Sequence, residues 1–394
     1  MKTKSLRQSK TSRTKTRTRR KVRKNDAKFM KNITGQVSIS ALKSNLDNLK
    51  KKAGTDIMPV IKADAYGHGI VEMARILRNL GTKYIGVATI GEAITVRDSG
   101  DKGRILAWLY DINTDQIKEA VKKGIDIGVF DDKHISSLSK QITKGNVANI
   151  HLFVDTGINR NGVPYEKAID AAKEISADTK MKLVGLMSHF CCSELKNDSA
   201  TYKQLELFRN LRRELREINI EPELVHIGNT GGILNYDLSD FTLARSGIGI
   251  YGYNPNKNVI EDKNLTPIMN LSSVIIQLKY VPKGAGIGYD RKYIAHKKTN
   301  IAIVPVGYAD FLPLTPSCSL SVIINGTRRK VLGLDSMDQI VVEARKGDKI
   351  SDIVKLVGNK KDGFINGNEF AQMGNTTSYN MLSHVGNRVQ LIYK

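Results

Sequence analysis

The chain is poor in cysteine, in aromatic residues and in acid. Its 394 residues include three cysteines, one tryptophan and nine prolines, and aromatics make up 6%. Cys191 and Cys192 are sequence neighbours, which bridge only with distortion, and Cys318 stands alone, so there is no disulfide framework. No Cys/His spacing has the pattern of a metal site. A reducing compartment, the cytosol, is the expectation. No apolar run approaches the roughly 20 residues that cross a bilayer, and the N-terminus lacks the apolar core of a secretory signal. A soluble protein that does not span a membrane is expected.

Acid is scarce and base is abundant, but unevenly so. The formal net charge is +23, and residues 1–31 alone supply +13 of it, from fourteen Lys/Arg against Asp26. The run Arg17-Thr18-Arg19-Arg20-Lys21-Val22-Arg23-Lys24 is the densest part. With few larger apolar residues (Leu6, Val22, Phe29, Met30), the segment reads as a basic, disordered tail. Its charge suits nonspecific attraction to nucleic acid or to another anionic surface. The remainder, at 40% apolar residues over the whole chain, has enough for a sizeable core.

Beyond the tail, strand-like and helical runs alternate. A helix is expected over 41–52, with Leu42, Leu46 and Leu49 on one face. Eight strand-like runs follow, at 57–62, 84–88, 104–109, 125–130, 149–155, 182–189, 223–227 and 242–250, with helical stretches such as 166–175 and 202–218 between them. Eight such units imply an α/β fold, a parallel (β/α)8 barrel over residues 32–264. From about residue 265 the pattern changes to strand-like runs, at 269–280, 299–306, 319–324 and 352–357, with turns that include Asn325-Gly326 and Gly358-Asn359. Residues 265–394 read as a mostly antiparallel β domain.

The most informative stretch is Val60-Ile61-Lys62-Ala63-Asp64-Ala65-Tyr66-Gly67-His68-Gly69. Its lysine ends a strand. An ammonium there is hard to solvate, which lowers its pKa and suits it to a Schiff base with an aldehyde cofactor. Barrel enzymes keep their chemistry at the C-terminal strand ends. The polar residues collect there: Trp108 near the end of the third strand, Asp155 on the fifth, His189 on the sixth, Asn229-Thr230 after the seventh and Arg245-Ser246-Gly247-Ile248 on the eighth. The glycine-bearing turns after strands seven and eight suit a phosphate.

The lysine run resembles the pyridoxal-phosphate signature of alanine racemases, and the resemblance extends over most of the chain. Val154 to Gly162 resembles the segment whose arginine, here Arg160, meets the substrate carboxylate. Ser188-His189-Phe190 resembles the segment whose histidine stacks on the cofactor ring, and Ala244 to Gly252 the one whose arginine, Arg245, faces the ring nitrogen. Gly288-Tyr289 to Tyr293 resembles the stretch with the second catalytic residue. Pro305 to Asp310, with Tyr308, and Ser336-Met337-Asp338-Gln339 resemble substrate-side motifs. Tyr379 matches a phosphate-binding tyrosine.

The resemblance implies interconversion of L- and D-alanine by an isomerase that supplies D-alanine for the peptidoglycan cell wall, with pyridoxal 5'-phosphate as cofactor. Lys62 and Tyr289 would be the two acid–base groups, with His189 and Arg245 assisting the tyrosine. Cofactor contacts would come from Lys62, Tyr66, Trp108, His189, Asn229, Thr230, Arg245, Gly247, Ile248 and Tyr379, and substrate contacts from Arg160, Tyr308, Met337 and Asp338. The family's homodimer implies that the β domain of one chain completes the site of the other. Four positions depart from the family pattern. Phe153 stands where a carboxylated lysine often steadies the arginine, Leu334 and Ser336 replace Arg and Cys, and Phe311 replaces a glycine. A racemase of broader specificity, serine included, and a decarboxylase of the same layout remain alternatives. A nucleic-acid-binding protein acting through the basic tail is a third, though no folded nucleic-acid motif is present.

Overall fold

A computed structural model describes residues 32–314 and 319–394 of the chain. The basic tail and Cys318 lie outside the described residues.

Eight parallel strands close into a barrel. They are β2 (Asp56–Pro59), β3 (Tyr84–Thr89), β4 (Arg104–Leu109), β5 (Asp126–Val129), β6 (Ala148–Asp155), β8 (Met181–Met187), β9 (Leu224–His226) and β10 (Leu243–Ser246), while β7 (Val163–Pro164) is a short strand beside β6. Strands β3 to β9 form one sheet in sequence order. Strand β10 pairs parallel to β2. Two seams complete the closure: Val60 bridges Gly86, and the Arg245 N–H donates to the Gly228 carbonyl at 2.8 Å. All eight expected strands are present. The last one is shorter than expected, because Gly247 to Tyr251 turn away from the sheet.

The connecting helices form for local reasons. The first spans Ile39–Ala53; Ser38 accepts from the Ala41 N–H at its start, and Gly54 ends it at φ 67. A positive φ costs glycine little, which is why that residue ends helices so often. Leu42, Leu46 and Leu49 are buried on one face. Each removes an apolar side chain from water, worth about 1.5–3 kcal/mol. Such faces join one core that runs on into the C-terminal region.

That region holds a six-stranded sheet ordered β17-β16-β19-β11-β1-β20 and a three-stranded sheet β12-β15-β18, with a small β13-β14 pair. Their ranges are β1 (Ile33–Val37), β11 (Met269–Val274), β12 (Gln277–Val281), β13 (Gly286–Ile287), β14 (Tyr293–Ile294), β15 (Thr299–Val304), β16 (Ser321–Ile324), β17 (Thr327–Lys330), β18 (Ile340–Glu343), β19 (Ile353–Val357) and β20 (Val389–Tyr393). Asn325 and Gly326 turn between β16 and β17 with φ 48 and 71, the double positive φ of a two-residue hairpin.

Three features differ from expectation. Strand β1 (Ile33–Val37) precedes the barrel in sequence but lies in the C-terminal sheet, antiparallel to β11 and parallel to β20. The run 269–280 is two strands in two sheets. The backbone crosses between them at Ile275 and Ile276, whose N–H groups donate to Asp352 and Ile303. Short helices also occur there, at Gly367–Met373 and Ser378–Ser383. Among the described residues, no helix is long and apolar enough to cross a membrane, and no cluster of His, Cys, Asp and Glu could hold a metal.

Candidate active site

Lys62 opens a turn of unusual hand. Ala63, Asp64, Ala65 and Tyr66 all have φ between 51 and 55, a left-handed helical turn built without glycine. Left-handed backbone costs roughly 1–2 kcal/mol per residue, so surrounding groups must hold it. Glu92 Oε1 accepts from the Ala63 N–H at 2.7 Å, and Asp64 Oδ1 accepts from the Ile70 N–H at 2.7 Å. The Tyr251 hydroxyl donates to the Val60 carbonyl at 3.2 Å. From the last strand, the Tyr393 hydroxyl donates to the His68 carbonyl at 2.8 Å. The C-terminal region therefore braces the turn that presents the lysine.

A cavity of about 250 Å³ opens at the C-terminal ends of the barrel strands. It is lined by Val60, Lys62, Tyr66, Trp108, Phe153, Arg160, Met187, His189, Asn229, Thr230, Arg245, Gly247, Ile248 and Tyr379. Every residue expected to contact a cofactor lines it, and so does Arg160. Three of these residues are cations and none is acidic, so the cavity attracts anions. A larger cleft, of about 1040 Å³, mixes Lys51, Lys52 and Lys196 with Glu194 and Asp262 and lacks that bias.

The electrostatics follow from crowding. Burial lowers the pKa of Lys62, Arg160 and Arg245 lower it further, and Glu92 opposes them. Arg245 is buried and pushed down to about 9 by burial and by Arg160. Its Nη2 donates to the Ser188 carbonyl at 2.7 Å and faces His189 Nδ1 at 3.2 Å. Burial, then Arg245, holds His189 well below its usual value, hence neutral. Gly247 is required for space, since a Cβ there would lie 2.4 Å from the Tyr66 hydroxyl. The rings of Tyr66 and Tyr379 sit 6.2 Å apart at the same end of the cavity.

Tyr289, Tyr308, Met337 and Asp338 are not in this cavity. Tyr289 follows Gly288 on a loop where Asp290 and Arg291 also take positive φ, and it is 68% exposed. Met337 is 52% exposed and Tyr308 37%. The segments of Tyr308 and Met337 lie together: the Tyr308 N–H donates to the Ser336 carbonyl and the Ala309 N–H to that of Met337. Asp338 is paired with Arg388, which also holds Asp310 at 2.8 Å.

Sequence comparison places the chain. A model of the N-terminal domain of alanine racemase matches residues 37–255, and one of its C-terminal domain matches residues 268–393. The chain belongs to the alanine racemase family. It is 33% identical to an alanine racemase of Clostridium novyi, covering 93% of this chain and 96% of that one. It is 32% identical to that of Thermobifida fusca, over 91% and 97%. Among solved structures, alanine racemase from Streptomyces coelicolor superposes with a TM-score of 0.87 at 30% identity, covering 92% of this chain and 98% of that one.

Against that family background, Phe153 is a buried floor residue, packed with Met58, Leu106, Met187 and Leu243. Arg160 Nε contacts Asn161 Oδ1 at 3.3 Å. Sequence reasoning missed Glu92, His226 and Asp335. Burial raises the Asp335 carboxyl to about 7, and its Oδ2 has no hydrogen-bond partner among the described residues. Glu92 carried a signal: with Thr89 it forms a capping box, Thr-x-x-Glu, at the start of the helix Ile90–Asp98.

Proposed function

We propose that the chain interconverts L- and D-alanine with pyridoxal 5'-phosphate held around Lys62. The observation that carries this reading is the cavity itself, a desolvated lysine amine among two arginines and no acid. The residues fit the cofactor. Lys62 offers an amine with a lowered pKa to its aldehyde. The glycine cradle at Gly247 leaves room beside the Tyr66 and Tyr379 hydroxyls for the phosphate, with Asn229, Thr230 and Ile248 completing that end. Trp108 and His189 would flank the ring, and Arg245 would face its nitrogen. When bound, the cofactor draws electrons from Cα and makes the α-proton acidic.

The chain's own groups then divide the work. Arg160 binds the substrate carboxylate by charge. Lys62 Nζ takes or returns a proton on one face of Cα. Tyr289 Oη does so on the other, since inversion needs an acid–base group on each side. Arg245, charged and donor-only, leaves the ring nitrogen unprotonated, which weakens the electron sink and limits side reactions.

We further propose a homodimer with shared sites. Tyr289 and Met337 are exposed and lie outside their own chain's cavity, so each would serve the Lys62 of a partner, together with Tyr308 and Asp338. A closed two-fold dimer is the commonest soluble assembly. We place the enzyme in the cytosol, in keeping with the unbridged Cys191 and Cys192.

A chiral assay over a panel of L-amino acids with added pyridoxal phosphate tests the activity. D-Alanine is the expected product. Amine and CO2 instead, or no turnover of alanine, would refute it. A preference for serine would favour the second reading, a broader racemase, for which Leu334 is the motive: it lies against Gly288, next to Tyr289.

A further inference from the structure

The barrel interior below the cavity is polar where such barrels are ordinarily filled by branched apolar side chains. Arg245 Nη1 lies 2.6 Å from His226 Nδ1. His226 Nε2 lies 3.0 Å from His151 Nδ1, and His151 Nε2 lies 3.2 Å from Asp126 Oδ2. Asp126 also accepts from Arg104 at 2.7 Å and from Asn149 at 3.0 Å. All four members of the chain from Arg245 to Asp126 are buried. Gly185 on β8 makes the room, because a Cβ there would lie 2.1 Å from His151 Nδ1.

Hydrogen-bond inventory fixes the direction of this chain. A guanidinium only donates. His226 must therefore present a lone pair at Nδ1 and carry its proton on Nε2. That proton points at His151 Nδ1, which must accept, so His151 also carries its proton on Nε2 and gives it to the carboxylate. The alternative orientation puts two donors 2.6 Å apart. Burial, then the Arg245 charge, holds the pKa of His226 far below its usual value, in agreement with a neutral acceptor.

We propose that His151 and Asp126 are positioning residues for Arg245. They lock His226 in the one tautomer that accepts from the guanidinium, and so hold that group, in place and charged, at the ring end of the cavity. Stability alone is a poor reason for the chain. Arg245 already has carbonyl acceptors at Ser188 and, at 3.0 Å, His226. Buried charged sets of this kind are often replaceable by apolar residues without loss. The inference rests on the proposed function, in which Arg245 faces the cofactor.

The test uses the full chain in two steps. Imidazole 15N spectra of the wild-type protein, without cofactor, read the tautomers directly. His151 and His226 should both carry the proton on Nε2 and a bare Nδ1, and His226 should not titrate between about pH 6 and 9. A proton on His226 Nδ1 overturns the proposal whatever the enzyme's activity. The second step compares H151F with H151N as loaded enzyme. Asparagine keeps an acceptor where Nδ1 stood; phenylalanine does not. H151F should lower kcat about tenfold or more, the usual scale when an orienting partner is removed. Its KM for alanine should change little, and the absorbance of bound pyridoxal phosphate should become pH-dependent as the ring nitrogen gains a proton. H151N should recover most of kcat and the wild-type spectrum. Equal behaviour of the two variants refutes the proposal. Should H151F fail to fold, H151N against D126N, with the wild-type spectra, decides. If wild-type protein binds no pyridoxal phosphate, the functional reading fails, and the 15N spectra still report on the chain.

Discussion

Replacing Glu92 by glutamine tests whether the lysine turn is held from outside. One carboxylate oxygen accepts from the Ala63 N–H at 2.7 Å, and the other from Ala88 and Thr89 at 2.9 and 3.0 Å. An amide has one oxygen, so its NH2 must face one of these two sets of donors. At least one charge-assisted bond is lost, at about 1.5–3 kcal/mol. Four residues of left-handed backbone, costing roughly 4–8 kcal/mol in all, then have one brace fewer. Glu92→Gln should lower Tm by several degrees and weaken pyridoxal phosphate binding, with Lys62 no longer presented in register.

The pH dependence has a definite sign. Lys62 has a lowered folded pKa, so between that value and the 10.5 of an ordinary lysine the unfolded chain binds more protons. This group's contribution to stability therefore rises with pH across that window. Glu92 opposes the lowering, so in the variant the window opens at lower pH. Thermal unfolding at several pH values, with a cofactor titration, measures both. Unchanged Tm and unchanged cofactor affinity would refute the reasoning.

Other outcomes follow from the same geometry. Mixing inactive Lys62→Ala and Tyr289→Phe proteins should restore about a quarter of wild-type activity, because half of randomly exchanged dimers are mixed and each has one intact site. No recovery after verified exchange would sink the shared site. Gly247→Ala places a Cβ 2.4 Å from the Tyr66 hydroxyl, so cofactor affinity, measured by fluorescence, should fall about tenfold or more while the fold survives. Phe153→Ala should cost about 3–5 kcal/mol in denaturant unfolding, as a buried aromatic leaves a hole; a loss under about 1 kcal/mol would mean that the floor is not packed as described.

Much of the site was legible because its signals are local. The run Val60 to Gly69 carries a lysine, small residues and glycines within one turn, and all ten residues expected to hold a cofactor line one cavity. The eight barrel strands announced themselves by apolar runs of strand length between helical stretches. Tyr289 and Met337 were legible as motifs, yet they stand apart from that cavity, because a sequence does not say which copy of a chain a residue serves.

What the sequence determined by itself was the eight barrel strands, the lysine turn's composition and the excess of positive charge. Pairing belonged to the tertiary structure. Residues Ile33 to Val37 carried no expectation of a strand; only contact with β11 and β20, more than 200 residues away, makes them one and assigns them to the C-terminal sheet. The run 269–280 has no glycine or proline to break it, and only the edges offered by Asp352 and Ile303 divide it. His151, His226 and Asp126 look unremarkable on three separate strands. Barrel closure turns them toward one axis, and there the donor-only guanidinium of Arg245 dictates which nitrogen of each imidazole carries the proton.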